Sequence, residues 1–484
     1  MKLSDILCDI EFTADNYIPD VEISNICYDS RKAKAGDAFI CIKGYQSDGH
    51  KYAKSAYDSG VRVFVVEKVL DLPKDATVIY VNNSRIALAK ASAAFFSYPA
   101  EKLCTVAITG TKGKTSVSFM LKSIFEKAGI KTGVIGTTGI YYDDVAIKTE
   151  NSTPESYEIH RHFAAMAEKG CNAVVIEATS QGFMLNRTAG ITFDYGVYTN
   201  LSPDHIGGNE HKDFDEYKTC KKMLFSQCKL GIANIDSAYF EEMTADAKCT
   251  VKTYGVENKA DICGSNLVFS CRGKQLCTTF DYAYEGKTFT VDLNIPGKFS
   301  VHNALAAISV AKELNISEKN IADALSETFV KGRMETVPIS GGKTVIIDYA
   351  HNELSVQSLF DTMRLYSPEK LTVVFGCGGN RSKLRRYSMG EIIGKNADLS
   401  VITSDNPRFE RVDDIIEDIL VGTKRTDGKY IVIKDRKEAI EYAVKNAIPG
   451  EVVLIIGKGH QLYEEIEGVK HPFDEREIVK NIAI

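Results

Sequence analysis

Short apolar runs alternate with amphipathic stretches along most of this chain, the rhythm of strands and helices in βα units. Early on, residues 37–42 read as a strand, 52–59 as a helix and 61–67 as a second strand, which predicts a small α/β domain over residues 1–101. From there the pattern steadies. Residues 103–109 form a buried-strand pattern, a glycine-rich turn follows, and 114–128 carry a helical period. Further strand-like runs at 132–137, 173–178, 195–200 and 231–234 predict a mostly parallel sheet covered on both faces. Residues 262–293 alternate with period two and read as a β insertion; Pro296-Gly297 then leads into a helix beginning near Val301.

A second α/β rhythm starts after Arg333, with strands expected at 344–347, 371–375, 399–403, 431–433 and 452–456. The expected fold class is α/β in three domains: a small one at 1–101, a central one with a mostly parallel sheet at 102–332, and a Rossmann-like domain at 333–484.

Composition narrows the function. A net charge of -6 removes the basic field that nonspecific nucleic-acid or membrane-surface binding needs. No run reaches the ~18 apolar residues of a membrane span. Residues 1–12 carry acids and lack the apolar run of a signal peptide, so a cytoplasmic chain is expected. The 12 cysteines include no CxxC pair, which argues against zinc ribbons and thioredoxin-like sites and favours buried free thiols.

The sharpest local signal is Gly110-Thr111-Lys112-Gly113-Lys114-Thr115-Ser116 between a strand and a helix. Glycines let backbone N–H groups approach phosphate oxygens, and the helix N-terminus adds a positive field. Lys114 is suited to the β- and γ-phosphates and the Thr115 hydroxyl to Mg²⁺. The spacing is shorter than the common GxxxxGK[ST], with Ile108 where a glycine is expected. Glu177 ends a strand, where doubly wound sheets meet ligands, and a carboxylate there suits Mg²⁺ or a helix cap. His205 lies in the turn Thr199-Asn-Leu-Ser-Pro-Asp-His-Ile-Gly207 and by itself is a metal ligand or a structural histidine.

Together these stretches resemble the Mur ligases. The phosphate loop, the strand end at Glu177, the 199–207 turn and the helix from Tyr217 to Phe225 are similar to that family's central ATPase domain. Tyr28-Asp-Ser-Arg31 and Gly44-Tyr-Gln-Ser-Asp-Gly-His50 resemble its nucleotide-sugar domain. His302-Asn303, Gly332-Arg333-Met-Glu335 and Asp348-Tyr-Ala-His351 resemble its adenine and ATP-closing motifs. Gly378-Gly-Asn-Arg381, Asp405-Asn-Pro-Arg408, Gly457-Lys-Gly-His460 and Phe473-Asp-Glu-Arg476 resemble the C-terminal domain of the tripeptide-synthetase branch.

That resemblance implies an ATP-dependent amide ligase of peptidoglycan precursor synthesis. Such an enzyme activates a carboxylate of UDP-N-acetylmuramoyl-L-alanyl-D-glutamate as an acyl phosphate and couples it to a diamino acid. Lys114, Glu177, His205 and Lys221 would be catalytic. Thr115, Glu177, His205 and a CO₂-derived carbamate on Lys221 would hold Mg²⁺. Asn303 would meet the adenine, and Arg333 and Asp348 would come over the nucleotide as the third domain closes. Tyr28, Ser30 and Gln46 would hold the uridine diphosphate end; Asn151, Ser152, Thr153, Thr179 and Arg187 would line the dipeptide channel. Leu185 departs from the glutamine common at its position.

For the amino acid, the resemblance implies Asp405, Asn406, Pro407, Arg408, Gly457 and Gln461, with Arg386 as a second contact to a carboxylate. It favours meso-diaminopimelate over L-lysine, although Gln461 replaces a glutamate usual in that branch and would accept the distal ammonium's hydrogen bond without a charge. The Ser180-Gln181 and Ser202–Gly207 stretches resemble members that add lysine. A P-loop scaffold without ligase activity is the alternative from another class. Small-molecule substrates, no nucleic acid, no membrane insertion and a monomer are expected.

Overall fold

The computed structural model describes all residues except 45–46, 204–205, 208–209, 273–274, 338 and 483–484. It falls into two compact units: residues 1–263 with 305–321, and residues 264–304 with 322–484. Among the described residues no helix is long and apolar enough to cross a membrane.

The first unit holds two sheets. Thr13–Asp15 (β1), Asn25–Cys27 (β2), Asp37–Ile40 (β3), Val63–Val66 (β4) and Thr77–Tyr80 (β5) pair in the order β1-β5-β4-β3-β2, parallel except for β1. The second sheet contains Cys104–Thr109 (β6), Thr132–Gly136 (β7), Gly139–Tyr142 (β8), Val145–Ile147 (β9), Ala173–Glu177 (β10), Phe193–Tyr198 (β11), Cys228–Asn234 (β12) and Thr250–Gly255 (β13). Their order is β13-β12-β11-β6-β10-β7-β8-β9. From β13 to β7 it is parallel; β8 and β9 add an antiparallel extension. Every residue of β7 and β10 is buried, which is why these runs are continuously apolar rather than alternating. The chain leaves β6 for β7 on one side, while β11 lies on the other. This strand-order reversal sits at the glycine-rich loop, where open α/β sheets bind ligands.

Past β13, Ile262–Arg272 (β14), Gln275–Tyr284 (β15) and Lys287–Leu293 (β16) account for the expected β insertion, with β15 and β16 antiparallel. The helix expected from Val301 begins at Lys298. The other sheet comprises Glu335–Val337 (β17), Thr344–Asp348 (β18), Lys370–Phe375 (β19), Leu399–Ile402 (β20), Tyr430–Val432 (β21) and Glu451–Ile456 (β22). This sheet, in the second unit, has the order β17-β18-β22-β19-β20-β21, parallel apart from the edge strand β17. A two-stranded ribbon, Tyr463–Ile466 (β23) and Val469–Pro472 (β24), follows.

The candidate ATP loop and acceptor pocket

The loop after β6 is held from below by its neighbour strand's exit. Thr111 N donates to Asn200 O at 2.9 Å, Lys112 N to Asn200 Oδ1 at 3.0 Å, and Thr199 Oγ1 to Lys112 O at 2.6 Å. Gly110 has φ +146°, and a Cβ there would sit 1.9 Å from Thr199 Oγ1, so only glycine fits. Gly113, at φ +88°, starts the helix Lys114–Lys127 without a side-chain cap. The first-turn N–H groups are thus left for an anion. Lys114 Nζ donates to Gly110 O at 2.6 Å and Thr111 O at 3.1 Å. Ser116 follows on the same first turn.

Thr115 Oγ1 donates to Glu177 Oε1 at 2.8 Å across 62 residues of chain, joining the loop to the end of β10. Glu177 also accepts from Thr137 N at 3.1 Å and Thr137 Oγ1 at 2.8 Å. Lys221 is 2 % exposed, and its Nζ donates to Gly110 O at 2.8 Å. His205 and Gln46 lie outside the described residues. The nearby His211 is buried, its Nε2 2.8 Å from Ser180 Oγ.

Does this donor set fit Mg²⁺? Thr115 and Glu177 offer the oxygen ligands a hard cation takes. Among the described residues no group of three or more His, Cys, Asp or Glu side chains converges, so protein ligands would be few, as suits an ion completed by water and phosphate. A lysine ammonium would repel the ion; a carbamate on Lys221 would supply an anionic oxygen and keep one N–H for Gly110 O.

The expected dipeptide-channel residues join the same cluster. Ser152 Oγ lies 2.7 Å from Thr137 Oγ1; Thr153 Oγ1 donates to Glu177 O at 2.8 Å and lies 2.9 Å from Thr179 Oγ1. Arg187 Nη1 donates to Thr153 O at 2.8 Å, and Asn151 is exposed beside them. Glu155 bridges Arg187 and Arg85, whose Nε reaches Lys43 O at 2.9 Å. Arg85 thereby ties this cluster to the segment after β3, a link the sequence did not reveal because nothing in its local spacing marks it. Tyr28 and Ser30 follow the carboxyl end of β2; burial, then the Glu158 carboxylate, pushes the Tyr28 phenol above its usual range.

In the second unit, Asn303 is buried on the helix Lys298–Glu313. Arg333 stacks 4.6 Å over the Tyr349 ring. Asp348 accepts from Met334 N at 2.7 Å and Ala350 N at 2.8 Å; desolvation raises its carboxyl while Arg333 pulls it back.

A cavity of about 110 Å³ opens at the carboxyl ends of β18, β22, β19 and β20, lined by Tyr349, Gly457, Gly376 to Gly378 and Asp405 to Asn406. Asp405 Oδ1 accepts from Asn406 N at 2.7 Å, and a Cβ on Gly457 would crowd Asp405 Oδ2 at 2.5 Å. Pro407 O lies where a Cβ on Gly379 would fall. Arg408, at φ +53°, is held by Gly379 O at 2.6 Å and by Glu465 at 3.4 Å. Behind them Arg436 and Glu475 form a fully buried ion pair at 2.7 Å, and Arg436 also donates to Ser404 O and Ile456 O, clamping the ends of β20 and β22.

Arg386 lines the cavity, but its guanidinium is already engaged. It is 1 % exposed, pairs with both oxygens of Glu410 at 2.8 Å and with Asp418 at 2.9 Å, and so braces the wall. The lining guanidiniums that form no ion pair among the described residues are Arg381 and Arg385. The Gly-Gly-Asn-Arg motif contained Arg381, yet spacing alone does not tell which arginine faces the cavity unpaired.

Three family models match in chain order. The Mur ligase family catalytic-domain model covers residues 22–97, the Mur ligase middle-domain model 108–311, and the glutamate ligase domain model 332–459. A UDP-N-acetylmuramoyl-L-alanyl-D-glutamate–2,6-diaminopimelate ligase of Caldanaerobacter subterraneus subsp. tengcongensis is 40 % identical, covering 100 % of this chain and 99 % of the relative. The chain belongs to the Mur ligase family. The Bacillus licheniformis ligase of the same name is 38 % identical over 96 % of this chain and 95 % of its own. A solved structure of a ligase of that name superposes with a TM-score of 0.73 at 27 % identity, covering 100 % of this chain and 98 % of that one. A Mur ligase is an ATP-dependent enzyme that forms amide bonds, and its three α/β domains with mostly parallel sheets are those expected from the sequence.

Proposed function

We propose that this enzyme adds meso-2,6-diaminopimelate to UDP-N-acetylmuramoyl-L-alanyl-D-glutamate, forming ADP and phosphate. The observation that carries the choice of amino acid is the acceptor cavity. Three arginines outside the Glu410–Asp418 brace, Arg381, Arg385 and Arg408, line it against one carboxylate, Asp405. Such a lining suits an acceptor with two carboxylates, each matched by a planar guanidinium fork. Lysine brings one carboxylate and a net positive charge, and would leave a guanidinium without its anion. The related ligases, named for 2,6-diaminopimelate, support the same choice.

The chemistry follows from charge. The dipeptide's terminal carboxylate and the γ-phosphate repel each other. Lys114, the amides of Gly110 to Ser116 and the helix N-terminus offset that repulsion and orient the phosphate for in-line attack. Thr115, Glu177 and a carbamylated Lys221 would hold Mg²⁺, with His205 as a further ligand; bound magnesium supplies positive charge between the two anions. Carboxylate oxygen attacks phosphorus and ADP departs. The acceptor amine then attacks the acyl carbon, and phosphate leaves with the carboxylate oxygen. Asn303, Arg333 and Asp348 serve the nucleotide; Tyr28, Ser30, Gln46, Asn151, Ser152, Thr153, Thr179 and Arg187 serve the UDP-sugar dipeptide.

A phosphate-release assay over an amino-acid panel tests the proposal. Release should need ATP, the UDP-muramoyl dipeptide and meso-diaminopimelate together. A preference for L-lysine or ornithine would overturn the choice of acceptor, and release indifferent to any amino acid would overturn the ligase reading.

A further inference from the structure

Two arginines from distant parts of the first unit share one carboxylate. Arg187 Nε donates to Glu155 Oε1 at 3.1 Å, and Arg85 Nη1 donates to Glu155 Oε2 at 3.0 Å. The side chains of Arg187, Glu155 and Arg85 are 9 %, 16 % and 11 % exposed, so water and salt screen the bridge only weakly. Glu155 is the N-cap residue of the helix Ser156–Glu168, yet its side chain accepts nothing from that helix. Both of its oxygens face guanidiniums instead. Each arginine is also tied to main chain. Arg187 Nη1 donates to Thr153 O at 2.8 Å, while its Nη2 makes no hydrogen bond to the described residues. Arg85 Nε donates to Lys43 O at 2.9 Å and its Nη1 to Leu185 O at 3.4 Å.

Resting on the UDP-muramoyl-dipeptide reading above, we propose that Glu155 is a positioning residue that fixes the spacing between the two ends of that substrate's site. Lys43 leads directly into the Gly44–His50 stretch assigned to the nucleotide sugar, and Arg187 is assigned to the dipeptide. The line Lys43 O, Arg85, Glu155, Arg187 joins the two. Guanidinium–carboxylate pairs are planar and directional, so the line resists bending. With Nε and Nη1 anchored, Arg187 offers Nη2 to a carboxylate of the dipeptide without first having to find its orientation. A substrate with both ends gains from that preset reach; a fragment with one end does not. Glutamine cannot replace the bridge, because its amide would turn N–H groups toward one of the two guanidiniums, which can only donate.

The test measures phosphate release by the intact enzyme, Glu155→Gln, Arg85→Ala and the double variant. Glu155→Gln should raise KM for the UDP-muramoyl dipeptide about tenfold to a hundredfold, the effect of losing a charge-assisted bond, with kcat nearly unchanged. KM for ATP and the inhibition constant of UDP, which carries one end only, should both stay within about threefold, because neither spans the bridge. Arg85→Ala should raise the same KM, and the double variant should be no worse than the more affected single, since either change cuts the same line. An unchanged KM for the dipeptide substrate, an equal loss of UDP binding, an equal rise in KM for ATP, or additive effects of the two changes would overturn this inference alone. No release by the intact enzyme from the UDP-muramoyl dipeptide with any acceptor of the amino-acid panel overturns the substrate reading with it.

Discussion

The phosphate loop and the acceptor cavity solve the problem of holding an anion in opposite ways. The loop uses backbone: two left-handed glycines, uncapped helix N–H groups and a single carboxylate reached through Thr115. Its geometry follows from residues adjacent in sequence, so its function needs little help from the rest of the fold. The cavity uses side chains delivered by four strand ends, and which of them are available depends on distant partners. Arg386 has been taken by Glu410 and Asp418, while Arg381 has not. A backbone site is robust to everything except its own glycines and lysine. A side-chain site can be retuned by a change at its bracing residues.

Removing the loop's cation should be the harshest break. Lys114→Ala should lower kcat by about a thousandfold or more, since the transferred phosphoryl group loses its cation, while the lost bonds to Gly110 O and Thr111 O lower the melting temperature only slightly. Lys221→Ala should also fall below detection and recover in part with small carboxylic acids; a retained rate in Lys114→Ala would refute the loop assignment, and one in Lys221→Ala would refute the carbamate.

The arginines sharpen the contrast within the cavity. Arg381→Ala should raise KM for meso-diaminopimelate about tenfold to a hundredfold while leaving stability alone. Arg386→Ala should do the reverse, costing on the order of 3 kcal/mol in urea unfolding because Glu410 and Asp418 lose their counter-ion. If Arg386→Ala were stable and merely weak for the acceptor, the bracing role would be wrong.

The smallest expected effect is on acid stability. Burial holds His160, His162 and His460 down to about 4, below the usual 6.5 of histidine. A group whose folded value is depressed stays neutral when folded and charges more readily when unfolded. Its contribution is complete above pH 6.5 and is lost as pH falls toward 4. Two of the three lie on the helix Ser156–Glu168 in the unit that bears the phosphate loop. His160→Leu should therefore flatten the fall in melting temperature between pH 6.5 and 4 more than the same change at an exposed histidine such as His471.

The same contrast explains what the sequence disclosed. The strands β6, β7, β10, β19 and β22 were legible because doubly covered strands are unbroken apolar runs, and the loop because Gly-Lys-Thr stands between a strand and a helix. The antiparallel extension β8–β9 and the short edge strands β1 and β17 were not, since each has only three or four residues and β9, β1 and β17 are partly exposed. Arg85 and Arg436 were missed, and the pairing of Arg386 with Glu410 and Asp418 was not foreseen, for one reason. An arginine's role is set by which carboxylate or carbonyl folds against it, and the carboxylate partners lie from 24 to 70 residues away for Arg386 and Arg85.

The central claim is that a carboxylate is activated by phosphoryl transfer before the amine arrives, and oxygen labelling tests it most directly. The UDP-muramoyl dipeptide is prepared with ¹⁸O in its terminal carboxylate and turned over with ATP and meso-diaminopimelate, and the released phosphate is weighed by mass spectrometry. An acyl phosphate requires one labelled oxygen in each phosphate formed. Unlabelled phosphate accompanying the amide product would mean that the oxygen never bonded to phosphorus, and would contradict activation through an acyl phosphate.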